Sequence, residues 1–77
     1  MRSFFHIENG SVIMDSDGID LPDVESARAE AVALIADVLR DGEASDLWND
    51  HPLRVWVTDE PNGAGKTLLT LHVTGQS

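Results

Sequence analysis

One stretch limits what this chain can become. Leu21 to Gly42, LPDVESARAEAVALIADVLRDG, is its only convincing helix. Val24, Ala27, Ala31, Leu34, Ile35 and Val38 recur at spacings of three and four, a stripe about 100° wide that calls for burial. Glu25, Arg28, Glu30, Asp37 and Arg40 fall largely outside it, toward water. Alanines at 27, 29, 31, 33 and 36 supply helix propensity and a small profile, so the helix can lie close to a sheet. Asp20 or Asp23 is placed to cap the first free N–H groups, and Pro22 suits a first turn where no N–H is required. Gly42 is the expected stop.

The remaining chain reads as short strands that need this helix to close a core. Arg2 to Ile7 is an aromatic and β-branched run, Glu8-Asn9-Gly10 carries turn chemistry, and Ser11 to Met14 returns as a second strand. Asp15 to Asp20 forms a polar bend into the helix. After Gly42 a connector follows, in which Leu47 and Trp48 are the only large apolar residues. Leu53 to Thr58 and Thr67 to Thr74 alternate as strands, separated by a loop at Pro61 to Gly65.

This order predicts a single α+β domain over residues 1–77, ββαββ, with one helix on a four-stranded antiparallel sheet. Two intact hairpins with the helix crossing between them give strand order 2-1-3-4. Phe5, Ile7, Val55, Val57, Leu69, Leu71 and Val73 share the face the helix covers. Phe4, His6, Arg54, Trp56, Leu68 and His72, with Thr70 among them, fall on the opposite face. One helix covers one face only. The second is therefore a partner surface, or the connector with Trp48 folds over it.

Composition narrows the function classes. Five basic against fourteen acidic residues give a net charge of −9, which repels nucleic acid and favours basic partners. There is no cysteine, hence neither a disulfide nor a thiolate metal site. No run approaches the ~20 apolar residues of a membrane span, and no signal-peptide pattern opens the chain, so a cytoplasmic location is expected.

Three stretches invite a chemical reading. In Gly63-Ala64-Gly65-Lys66-Thr67 the first glycine of a phosphate-binding loop would fall on Glu60, and the segment joins two strands rather than a strand and a helix. Asp15, Asp17, Asp20 and Asp23 resemble calcium ligands. Counted from Asp15, however, the required glycine and glutamate are Asp20 and Ser26. His6, His51 and His72 lack the cysteine or carboxylate spacing of a metal or catalytic set. No catalytic, cofactor or metal residue is assigned. Trp48 and Trp56 are core or contact aromatics.

Phe4-Phe5-His6, Asp15 to Gly18 with Leu21-Pro22-Asp23, the helix through Ala27, Ala29 and Ala31, and Val55-x-Val57-Thr58-Asp59-Glu60 together resemble a family of short bacterial proteins known only as a domain of unknown function. The chain departs from that pattern in its last hairpin, which Gly63 to Lys66 lengthens. The resemblance implies a small α+β fold and no known activity. A looser likeness, at the level of fold, is to the antitoxins of bacterial toxin–antitoxin pairs. The function expected is non-enzymatic: a protein-interaction domain that forms a homodimer through the face bearing Trp56. The alternative is an antitoxin-like regulator that binds a basic protein.

Overall fold

A computed structural model describes residues 1–40 and 52–75. The chain runs β1 (Arg2–Glu8), β2 (Val12–Ile13), β3 (Ile19–Asp20), α1 (Val24–Arg40), β4 (Leu53–Thr58), a 3-10 turn (Pro61–Gly63) and β5 (Thr67–Val73). The sheet is antiparallel in the order β2-β1-β4-β5, with β3 pairing β1 beyond β2. Numbering the four expected strands in turn, this is the 2-1-3-4 order that two linked hairpins require.

The fifth strand was not anticipated. The bend over Asp15 to Gly18 does not lead straight into the helix: its continuation, Ile19–Asp20, pairs with Arg2 and Ser3. The chain thus passes the outer edge of β1 twice, at Ile7–Glu8 and again at Arg2–Ser3.

Helix α1 begins after Asp23, whose Oδ1 accepts the Ser26 N–H at 2.8 Å. Asp23 is the cap, and Pro22 stands before it rather than in the first turn. Asp20 is used elsewhere, 3.3 Å from the terminal ammonium of Met1. The buried stripe is Ala27, Ala31, Ile35 and Val38; Leu34 is only half-buried at its margin. The small Ala27 and Ala31 are fully buried, and Ile35 and Val38 carry the apolar stripe onward along the helix.

The core joins Ala31, Ile35 and Val38 to Leu53, Val55 and Val57 of β4, the central strand of the inward face. Phe5, Ile7, Leu69, Leu71 and Val73 pack around it as expected. Leu68 joins them, which corrects its assignment to the opposite face. The cause is a register shift: Val57 pairs with Leu69 but Thr58 with Thr67, so Leu68 is an extra residue and the alternation slips there. The expected helix stop at Gly42, the connector with Leu47 and Trp48, and His51 lie outside the described residues.

Candidate functional site

The face away from α1 is not the open apolar surface expected of it. Phe4, His6 and Trp56 are 7%, 0% and 8% exposed. They cannot themselves form a docking surface in this conformation. Of the six residues proposed for that role, His72 is exposed, Arg54 is half-buried, and Leu68 belongs to the core side.

Local contacts explain the burial. The Arg54 guanidinium carbon sits 4.0 Å from the centroid of the Trp56 ring, a cation–π contact. Its Nε reaches Glu8 Oε1 at 3.1 Å, across the β1–β4 pair. His6, opposite Trp56 in register, tilts its ring 45° to the indole at a centroid distance of 5.2 Å. Phe4 is covered by the Asp15–Gly18 bend. A Cβ on Gly18 would lie 2.7 Å from the Phe4 ring, and Gly18 holds a φ of +73°. Glycine is required there on both counts.

His6 is the centre of a closed polar lock. Its Nδ1 accepts the Asp15 N–H at 3.0 Å, so that nitrogen carries no proton. Its Nε2 therefore carries the proton and donates to Thr58 Oγ1 at 2.8 Å. Thr58 in turn donates to the Glu60 carbonyl at 2.6 Å. Burial holds the imidazole below its usual pKa, against a smaller upward pull from the Asp15 carboxylate. The ring is neutral with both nitrogens occupied.

Asp15 ties the bend to two other segments. Its Oδ2 accepts the Phe5 N–H at 3.1 Å, on the edge of β1 that β2 and β3 leave uncovered. Its Oδ1 accepts the N–H groups of Asp17 and Gly18 at 3.0 and 3.2 Å. Its carbonyl accepts the Asn62 N–H at 2.9 Å, joining the bend to the loop after β4. Burial pushes the carboxyl pKa up, but the N–H bonds from Phe5, Asp17 and Gly18, with the His6 ring, outweigh it and hold it below the usual value.

This arrangement does not supply nucleophilic chemistry. A histidine that donates to a hydroxyl cannot take that hydroxyl's proton, and Thr58 is fully buried. Nor does His6 have a free lone pair for a metal. Among the described residues no three of His, Asp and Glu form a group able to hold one. In the acidic turn Asp15 is bonded to N–H groups, Asp20 is paired with the N-terminus and Asp23 caps the helix, while Asp17 accepts from Arg2 through its backbone carbonyl at 3.1 Å.

The loop at Gly63 to Lys66 closes the β4–β5 hairpin. Asp59 Oδ1 accepts the Lys66 N–H at 2.7 Å, and the Asp59 N–H donates to the Lys66 carbonyl at 3.1 Å. A Cβ on Gly65 would fall 2.2 Å from that carboxylate. The described residues also form hollows. One of about 420 Å³ is lined by Glu8, Gly10, Pro52, Arg54 and His72, and one of about 240 Å³ lies between Phe5, Ile7, Ile19 and Leu34.

Sequence reasoning missed Thr58 and the role of Asp15. Alternation from Arg54 and Trp56 already puts Thr58 on their face. The segments F-F-H, D-x-D-G and V-T-D-E, far apart in the chain, meet at this lock.

A family model described as Domain of unknown function (DUF6894) matches residues 2–74. No curated protein and no solved structure matches the chain.

Proposed function

From the premise that this chain belongs to the DUF6894 family, whose description carries no activity, we propose that it is a non-enzymatic protein-interaction domain that self-associates. The observation that supports this reading is the unequal closure of the core. Leu53, Val55 and Val57 of β4 are sealed at 1%, 0% and 0% exposure, while Leu69, Leu71 and Val73 on the neighbouring strand stay half-buried. A domain near the lower size limit for a self-sufficient core gains from sealing such a row against a partner. The saturated His6 lock fits a structural role better than a reactive one. No helix among the described residues is long and apolar enough to cross a membrane. A cytoplasmic location belongs to the proposal.

Sedimentation across protein and salt concentration tests it. We expect a dimer, strengthened by salt because two copies at −9 repel and ions screen that repulsion beyond about 8 Å. A monomer at high concentration and high salt overturns the proposal. The second reading, an antitoxin-like regulator bound to a basic protein, draws support from the exposed Asp17, Asp20, Asp23 and Glu25 around the start of α1. Its salt dependence has the opposite sign: binding to a basic partner weakens as salt rises.

A further inference from the structure

The two sides of the sheet are finished differently. On the β1 side the outer strands β2 and β3 are two residues each, and the Asp15 carboxylate fills the gap between them. Very short edges of this kind resist pairing with another chain. On the other side β5 runs seven residues, TLLTLHV, and among the described residues it is paired by β4 alone. It contains no proline, no Lys, Arg, Asp or Glu, and its one irregularity lies at its start. Among the described residues none of the usual protections of an edge is present along most of its length.

We propose that β5 is the self-association edge, pairing antiparallel with β5 of a second copy about a two-fold axis through Thr70. This rests on the self-association reading above and supplies its surface. Thr70 is the middle of the seven residues, so this register centres the seam on the strand. Leu69 meets Leu71 and Thr70 meets its own copy, and the irregularity at Leu68 falls at each end of this central seam. Each residue of an antiparallel pair shares a face with the one opposite, so the half-buried Leu69 and Leu71 of both copies join one apolar row. A two-fold axis perpendicular to the sheet sets both α1 helices on the same face, above that row. Charge selects the occupant. In a chain of net charge −9, β5 brings no acidic residue to the seam, so a second copy meets it without local repulsion. An uncharged edge offers a basic protein nothing to recognise.

The chain has no cysteine, so single thiols report the register directly. Directly opposed Cβ atoms lie about 5 Å apart, and Thr70→Cys is expected to form an intermolecular disulfide under mild oxidation. In the same register two copies of His72→Cys are four residues out of step, about 13 Å apart, and should not crosslink. Both side chains are exposed, so neither change disturbs the core. Thr70→Lys places like charges opposite one another and should abolish the dimer in sedimentation, with unchanged far-UV circular dichroism. A wild-type dimer that survives Thr70→Lys, with Thr70→Cys crosslinking no better than His72→Cys, overturns the β5 assignment and leaves self-association standing. A wild-type monomer at every concentration and salt overturns both.

Discussion

The His6 ring takes the backbone N–H of Asp15 at Nδ1 while the Asp15 carboxylate takes the N–H of Phe5, so bend and strand hold each other through reciprocal bonds. This relationship turns separations of nine and ten residues into fixed contacts at 3.0 and 3.1 Å. A strand continuing from β2 to β3 would satisfy the same edge by backbone alone. Here a side chain does so, and the bend it anchors roofs Phe4.

Acid should weaken the fold in two steps. Protonated His6 would point an N–H at the Asp15 N–H, two donors facing each other. Its folded pKa lies below the 6.5 of the free group, so the unfolded chain binds the proton first as pH falls. Stability is full above about pH 6.5 and declines as pH falls toward the lower folded value. Asp15, also lowered in the fold, adds a second loss as pH falls through and below the ordinary carboxylate range. Melting temperature against pH, compared between wild type and His6→Gln, checks the first step. A variant as acid-sensitive as wild type between pH 5 and 6.5 refutes it.

Removing the Asp15 carboxylate leaves three N–H groups without their acceptor. Hydrogen bonds to a charged group contribute about 1.5–3 kcal/mol each where desolvated, and partial exposure of this bend reduces the sum. Asp15→Ala should cost about 2–3 kcal/mol in urea unfolding. A loss below about 0.5 kcal/mol would show that the bend is dispensable.

Gly18 holds Phe4 down. Gly18→Ala meets both a left-handed backbone and a ring 2.7 Å away. The backbone conformation alone costs about 1–2 kcal/mol. Displacing Phe4 adds to it and should raise the exposure of the Trp56 side to dyes that bind apolar surface. An alanine variant that melts with wild type would mean that the bend moves aside freely.

Ile35 and Leu34 should separate sharply. Ile35 is 6% exposed within the buried cluster, and Leu34 stands at its margin. Ile35→Ala should cost about 2–5 kcal/mol, in the range of buried aliphatic truncations. Leu34→Ala should cost clearly less. Equal losses would place the helix in a different rotation from the one described.

How much was legible in advance follows the range of the forces. Periodicity alone marked α1, and alternation marked β1, β4 and β5 with their inward rows, because both signals come from neighbours along the chain. Strand order followed from hairpin connectivity. Residues whose place depends on distant segments were read less well. Leu34 and Ile35 stand on opposite flanks of the apolar stripe, about 100° apart, and only the position of the sheet buries one before the other. Leu68 obeys alternation until a bulge that no local pattern announces.

The amino-acid sequence by itself determined the ββαββ frame, the antiparallel order and the helix-side core, since each rests on local propensity and one apolar pattern. Only the tertiary structure decided that Phe4, His6 and Trp56 are internal. Their burial comes from Arg54 on the same strand, from Asp15 in the bend and from Thr58 on β4, brought together by folding. Polar contacts of this kind have no period in the sequence. A buried histidine and an exposed one look alike there until the donor and acceptor facing each ring nitrogen are known.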